Sequence, residues 1–132
     1  MTVTEFSLQA YAEVDGWISF SEVKVLRDAC RDKIALEIGS YKGKSACIIA
    51  PVAKKLFCVD TFCADPSGQN QLDTHTTLNE FIKNTLSFEN ITLIIGNSSE
   101  VIPIAIPDDS LDVIFVDGMH WTENVEKDIL AC

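Results

Sequence analysis

Two acidic residues, each close to the end of an apolar run, are the first features of this 132-residue sequence that could do chemistry. In "ALEIGSYKGKSA", residues 35–46, Glu37 precedes Gly39 and Gly43, and a second run, "LFCVD", ends at Asp60, 21 residues after Gly39. A tight turn between a strand and a helix presents backbone N–H groups at the carboxyl edge of a sheet, where anions and polar ligands bind. The spacing therefore predicts a site for a polar ligand at this turn.

Two phosphate-containing ligand classes fit the turn poorly. The dinucleotide pattern G-x-G-x-x-G is absent, because Gly39 and Gly43 are separated by three residues with no glycine between them. The nucleotide-triphosphate pattern G-x-x-x-x-G-K-[ST] is closer, since "GSYKGKS" ends in Gly-Lys-Ser, and "DVIFVD" resembles a strand that carries a magnesium-binding aspartate. The loop is one residue short, and a shorter loop gives a smaller phosphate cradle. A nucleotide-binding protein of this type stays open as an alternative.

A third ligand class, S-adenosylmethionine, suits the acids better. It has an ammonium group and a ribose diol but no phosphate. Glu37 can interact with the ammonium end, directly or through water, and Asp60 is placed to accept both ribose hydroxyls, as the acid of dinucleotide folds does. For either acid alone, a carboxylate that caps a loop is the alternative interpretation.

Four apolar runs, each followed by helix-like sequence, would position these residues. They are "KIALEI" (33–38), "LFCVD" (56–60), "ITLII" (91–95) and "LDVIFVD" (111–117). Because strands buried on both faces read as continuous apolar runs, the pattern predicts an α/β fold, a doubly wound parallel sheet in three layers. We predict a single domain over residues 1–132, with a helical lead-in over about residues 1–32.

A helix signal precedes the first of these runs. Ser19 and Glu22 form a capping box before a helix whose buried face is predicted from Val23, Leu26 and Cys30.

Two further helices flank a polar segment. One follows Gly43, and Pro51 is expected to kink it or end it. The other has an apolar stripe formed by Leu78, Phe81, Ile82 and Leu86. The segment between them, residues 63–77, is predicted to be a loop over the site.

The charge and the cysteines narrow the class of protein. The net charge is −10, and residues 56–132 hold only Lys83 and Lys127 against thirteen acids, so a nucleic-acid partner is disfavoured. No apolar run reaches the ~20 residues that span a membrane, and the N-terminus lacks a signal-peptide pattern, which predicts a soluble, cytoplasmic protein without a membrane partner. The five cysteines, odd in number and without CxxC spacing, predict buried reduced thiols.

The end of the sequence carries an expectation of its own. Thr122 is a candidate cap for a fourth helix, after which the sequence stops at Cys132. A doubly wound fold normally has further strands there. We expect the domain to be truncated after the fourth strand and helix, or a homo-oligomer to cover the exposed sheet edge.

From about Trp17 to Cys132 the sequence resembles the Rossmann-like, class I S-adenosylmethionine-dependent methyltransferases. Within them it is similar to the small-molecule O-methyltransferases, which include catechol O-methyltransferase and antibiotic-sugar methyltransferases. The motifs that carry the resemblance are "LEIGSYKGKSA", "VDTF", "IIGNSSEVIP" and "LDVIFVDGMHW". A non-catalytic S-adenosylmethionine-binding or interaction module is the alternative from another class.

The resemblance implies the cofactor-binding residues. Tyr41 and Ser45 match contacts to the methionine part, Asp60 matches the ribose-binding acid, and Ser98 matches the adenine loop. For Ser98, a helix N-cap is a parallel interpretation. The complete set is Glu37, Gly39, Ser40, Tyr41, Gly43, Ser45, Asp60, Thr61, Asn97, Ser98 and Asp117.

The resemblance also implies catalytic residues and a metal. In the metal-dependent members, the acid that matches Asp117 binds Mg²⁺ or a similar ion that holds the acceptor hydroxyl, and His120 falls where these enzymes have a Lys or His base. A cation at Asp117 would lower the proton affinity of a small hydroxylated acceptor, and His120 would take the proton. The alternatives are a helix-capping or cofactor-only Asp117 and a surface His120; His75 is expected to be solvated. Met119 stands where related chains often have an acid.

Overall fold

A computed structural model of the chain describes residues 3–62 and 74–117, together with Glu126, Leu130 and Cys132. It contains five helices and four strands within these residues. The helices are α1 (Val3–Glu13), α2 (Phe20–Cys30), α3 (Lys44–Ile49), α4 (Thr74–Thr85) and α5 (Ser98–Ala105). The strands are β1 (Ile34–Ile38), β2 (Lys55–Asp60), β3 (Ile91–Ile95) and β4 (Val113–Val116).

The four strands form one parallel sheet in the order β3-β2-β1-β4. This order confirms the predicted α/β fold. Parallel neighbours require crossover connections, and strands are added on one side of β1 as far as β3 and then on its other side with β4. Within the described residues β3 and β4 are the two edges, and Ile114 of β4 keeps 42% of its surface exposed.

Each face of the sheet has its own apolar core. On one face, α5 packs Ile102 and Ile106 onto Leu36, Ile38 and Val59. On the opposite face, α2, α3 and α4 contribute Leu26, Ile49 and Phe81 to a larger cluster that also contains Leu56 and Cys58. Helices on both faces of a central sheet give the three layers predicted from the sequence.

The helix α2 begins and packs as its sequence predicts. The Ser19 hydroxyl accepts from the Glu22 N–H at 3.3 Å, and the Ser19 N–H donates to the Glu22 carboxylate at 2.6 Å. Val23, Leu26 and Cys30 are buried. The reciprocal bonds satisfy two N–H groups that a helix start leaves free, and this fixes the start of α2.

The start of α4 corrects the sequence prediction. Residues 74–77, predicted as part of a loop, form the first turn of the helix, whereas residues 63–73 lie outside the described part. The buried face of α4 includes Thr77, Phe81 and Thr85, and Ile82 and Leu86 are exposed. Two threonines that the predicted apolar stripe did not include thus lie on the buried face, and Thr85 satisfies its hydroxyl by donating to the Phe81 carbonyl at 2.8 Å.

The other expectations on the chain have simple outcomes. Helix α3 ends at Ile49, two residues before Pro51, which cannot continue a helix with its own N–H. Cys30, Cys47 and Cys58 are free and buried, and Cys132 is exposed. The proposed cap at Thr122 lies outside the described residues. Among the helices described, none is long and apolar enough to cross a bilayer.

Candidate functional site

Three acidic residues meet at the carboxyl edge of the sheet. Glu37 lies in β1, in register with Cys58 of β2 and Phe115 of β4. Asp60 is the last residue of β2, and Asp117 directly follows β4. Because all strands are parallel, the three acids lie near the same edge of the sheet, the edge at which such folds bind ligands, although they are up to 80 residues apart in sequence.

The turn between β1 and α3 uses left-handed backbone conformations. Gly39 has φ 91° and Gly43 has φ 88°, which glycine adopts without steric cost. Tyr41 has φ 48°, which few residues with a Cβ adopt. The Gly43 N–H donates to the Ser40 carbonyl at 2.9 Å and closes the turn. A conformation of this kind at Tyr41 needs support from outside the turn.

Asp60 supplies that support. Its Oδ2 accepts from the Tyr41 N–H at 2.8 Å, and its Oδ1 accepts from the Phe62 N–H at 2.9 Å. The carboxylate therefore ties the end of β2 to the turn after β1. An ionised carboxylate has about four acceptor positions, so two of them stay available for the hydroxyls of a ligand.

A tight contact with α4 explains the second glycine. A Cβ added to Gly43 would lie 3.1 Å from Phe81 Cδ2 and 3.1 Å from Thr85 Cγ2. Those atoms belong to a buried helix face and have little room to move. Any side chain at Gly43 would therefore strain both the local backbone and the packing of α4.

Lys42 forms a clamp that ties the turn to the segment after α1 and to α4. Its Nζ lies 2.8 Å from Asp15 Oδ2 and 3.3 Å from Glu80 Oε2, and the Asn84 side chain donates to the Lys42 carbonyl at 2.9 Å. The hydrogen bond to Asp15 raises the pKa of Lys42, so the ammonium stays charged. No local sequence pattern predicts this clamp, because two of its partners lie 27 and 42 residues away along the chain.

The Gly-Lys-Ser end of the turn is engaged with protein groups. Lys44 Nζ lies 4.9 Å from the centre of the Tyr11 ring, a cation–π contact that directs it to α1. The Ser45 hydroxyl donates to Glu37 Oε1. In a phosphate loop this lysine would reach phosphates and this hydroxyl would meet Mg²⁺. The observed contacts therefore disfavour the nucleotide-triphosphate interpretation.

Glu37 is a fully buried carboxyl group. None of its surface is exposed, and the Cys58 thiol donates to its Oε2 at 3.5 Å, opposite the bond from Ser45. Burial raises the pKa of Glu37 to about 7; the two hydrogen bonds act in the lowering direction, and repulsion from Asp117 and Asp60 raises the pKa further. Both protonation states of Glu37 are therefore accessible near neutral pH.

The surroundings of the thiols near Glu37 favour the protonated form, which is unreactive. Burial raises the pKa of Cys58 well above its ordinary value, and the nearby Glu37 carboxyl adds to the effect. Burial likewise raises the pKa of Cys47 to about 12. Since the thiolate is the nucleophile, these residues act as small packing groups and weak hydrogen-bond donors.

At the end of β3, Asn97 takes the capping role that the sequence left open for Ser98. The Asn97 side chain accepts from the Ser99 N–H at 3.1 Å and from the Ser99 hydroxyl at 2.7 Å, and it is the N-cap of α5. Ser98 is the first residue of the helix itself. The capping interpretation of Ser98 is therefore wrong by one residue, because both neighbours are good caps and sequence alone does not fix the first helical residue.

The structure describes only some of the remaining candidate residues. Tyr41 packs on Trp17, with ring centres 5.4 Å apart, and Trp17 is 83% exposed. Thr61 and Asp117 have exposed side chains. His120 and Met119 lie outside the described residues, and for His75 the structure describes only its place in α4.

The metal implied by the resemblance has little support in this part of the chain. Over residues 3–62 and 74–117, no group of three or more His, Cys, Asp or Glu side chains is arranged to hold a metal ion. Of Asp117 and His120, the two residues implied to act with the metal, these ranges contain Asp117.

A parallel sheet with helices on both faces, a glycine turn after β1 and an acid at the end of β2 defines a Rossmann-like domain of the nucleoside-binding class. The chain belongs to the methyltransferase-domain family, whose family model matches residues 36–132. No curated protein sequence matches it.

Solved structures share this fold at low identity. A Staphylococcus aureus protein assigned as a caffeoyl-CoA O-methyltransferase is 18% identical, with a TM-score of 0.65 over 99% of this chain and 59% of that one. An SAH-bound methyltransferase from Podospora anserina is 18% identical, with a TM-score of 0.62 over 98% and 56%. An rRNA methylase from Streptococcus thermophilus is 13% identical, with a TM-score of 0.61 over 87% and 64%. The chain thus spans between 56% and 64% of these three proteins.

Proposed function

We propose that the protein contains the cofactor-binding part of an S-adenosylmethionine-dependent methyltransferase. The observation that carries the proposal is the hydrogen bond that Asp60 Oδ2 accepts from the Tyr41 N–H at 2.8 Å. It joins the acid expected to bind the ribose and the glycine turn into one unit at the carboxyl edge of the sheet. Membership of the methyltransferase-domain family and the likeness to an SAH-bound methyltransferase support the choice of cofactor.

The residues present suit this cofactor. Asp60 keeps acceptor positions for the ribose hydroxyls, and Glu37 offers a carboxyl group to the ammonium end. Tyr41 and Ser45 would contact the methionine part. Residues 97 and 98, at the start of α5, would face the adenine. The bound cofactor would supply an electrophilic methyl group, and the protein would align an acceptor with it.

The acceptor and the metal form a finer proposal. We infer that the acceptor is a small hydroxylated molecule methylated on oxygen with help from a divalent cation, with Asp117 as a ligand and His120 as the base. The support is the sequence resemblance and the likeness to the S. aureus protein. Methyl transfer to catechol-type hydroxyls should then require added Mg²⁺ and stop in EDTA. Added Mg²⁺ should no longer raise the rate of Asp117→Asn. Equal rates with and without EDTA would reject metal assistance.

Calorimetry tests the cofactor assignment. Titration of the purified chain with S-adenosylmethionine should give saturable binding with one site per chain, whereas ATP with Mg²⁺ should give none, because Lys44 and Ser45 are bound to Tyr11 and Glu37. Binding of ATP alone would support a phosphate-binding turn, and absence of S-adenosylmethionine binding would contradict the proposal.

A further inference from the structure

The surroundings of Glu37 combine burial with nearby negative charge. The carboxyl group is completely buried, and Asp60, the last residue of the neighbouring strand β2, adds like charge. Burial and like charge both disfavour the ionised carboxylate. Its two contacts come from neutral donors, the Ser45 hydroxyl and the Cys58 thiol. Without a cationic ligand these surroundings therefore favour the protonated form of Glu37 at a pH below about 7.

A cationic ligand reverses this balance. An ammonium group placed beside a buried carboxyl group favours ionisation, because the attraction is strong where water is excluded. The groups that face Glu37 come from every neighbouring element. They are Cys58 and Asp60 of β2, Ser45 and Cys47 of α3, Cys30 of α2, and Asp117 after β4.

We propose that Glu37 gives up one proton to solvent when the ammonium end of the cofactor binds, so that cofactor affinity is coupled to pH. The inference rests on the proposed function, since it takes S-adenosylmethionine as the ligand. In this role Glu37 selects ligands that carry the ammonium group of an amino-acid end over ligands that lack it. The O–H bond of the carboxylic acid breaks, the electron pair stays on Glu37, and the buffer takes the proton.

Ser40, in the turn that follows β1, is a second buried polar group near Glu37. Ser40 is 2% exposed, and its Oγ has no hydrogen-bond partner among the described residues, although it lies near enough to the Cys58 thiol to affect that thiol's pKa. Cys58 in turn donates to Glu37. A buried hydroxyl without a partner is costly, and a ligand group or an ordered water in the crevice would satisfy it.

The coupling has a measurable size. With a pKa of about 7, Glu37 carries its proton in most free molecules at pH 6 and in a minority at pH 7.5. If only the ionised form binds tightly, the apparent affinity falls in proportion to the ionised fraction. Binding should therefore strengthen roughly eightfold between pH 6 and pH 7.5.

The test counts protons by calorimetry. S-adenosylmethionine is titrated at pH 6 in two buffers of different ionisation enthalpy, and the difference in heat gives the protons released. Wild type should release close to one proton per ligand, and Glu37→Gln should release almost none from this source. Glu89→Gln is the matched control, because Glu89 is exposed before β3 and should release as many protons as wild type. Any proton from the ligand itself is common to all three proteins.

A second measurement keeps the test independent of how the variant folds. The carboxyl carbon of Glu37 in ¹³C-labelled wild type should titrate near pH 7 without ligand and at a lower pH with saturating S-adenosylmethionine. Normal binding with equal proton release in wild type and Glu37→Gln, or an unshifted carbon titration, would overturn the coupling alone. Equal release with 5′-methylthioadenosine, which lacks the amino-acid end, would also overturn it. Absence of binding at every pH would instead contradict the proposed function.

Discussion

Replacing Asp60 with alanine should weaken binding of S-adenosylmethionine by about 1–3 kcal/mol, or roughly five- to 150-fold, through loss of a charge-assisted hydrogen bond. The carboxylate has two tasks that fail together. It would accept the ribose hydroxyls, and it holds the Tyr41 and Phe62 N–H groups at 2.8 and 2.9 Å. Without it, Tyr41 loses the bond that supports its left-handed conformation.

Asp60→Asn separates these tasks in part. The amide keeps one acceptor oxygen, but its NH₂ group must face one of the two backbone N–H groups, so one contact becomes donor against donor. We expect an affinity between those of wild type and Asp60→Ala. Asp108→Asn removes the same charge from the exposed segment before β4 and should bind as wild type does. An Asp60→Ala protein that folds, judged by circular dichroism, and binds with unchanged affinity would remove the basis for the cofactor assignment.

Glu37→Gln should change how stability depends on pH. The folded-state pKa of about 7 lies above the ordinary 4.5, so the folded protein binds the extra proton between these values. Its free energy of unfolding therefore falls as pH rises through this window, by about 3 kcal/mol from this group, and is flat above it. Glutamine resembles the protonated acid in shape and charge, and it removes this fall.

Urea unfolding of the ligand-free proteins at pH 5, 6, 7 and 8 measures the effect. Glu37→Gln should exceed wild type by less than about 1 kcal/mol at pH 5 and by about 3 kcal/mol at pH 8. Glu89→Gln should follow the wild-type curve, because its side chain is exposed in the folded state. Parallel curves for all three proteins would mean that Glu37 is ionised in the folded state throughout this range.

The architecture was predictable because burial on both faces leaves a direct trace in sequence. The run at 91–95 is β3 to the residue, and the capping box at Ser19 and Glu22 marks the start of α2. The stripe in α4 was harder, since Thr77 and Thr85 fill core positions through a hydrogen bond and close packing that hydropathy does not report. Its first turn was consequently assigned to a loop.

The site was predictable in its acids and glycines but not in its supports. A strand end followed by a glycine turn has a fixed meaning in a parallel sheet, and this placed Glu37 and Asp60 at the crevice. The donor from Cys58 depends on the register between β1 and β2, and the Lys42 clamp depends on how α4 and the segment after α1 pack. Tertiary packing of this kind has no local pattern.

The wide sequence separation of the supports of the turn has a consequence for how the protein matures. Asp60, Asn84 and Asp15 lie 19, 42 and 27 residues from their partners in the turn. Contacts of this separation form only after much of the chain has collapsed, since each closes a long loop. We therefore expect the turn to form late in folding, so that a partly folded chain would lack a complete binding site. A ligand that binds there would act as a chemical chaperone, drawing newly made chains toward the native state by mass action.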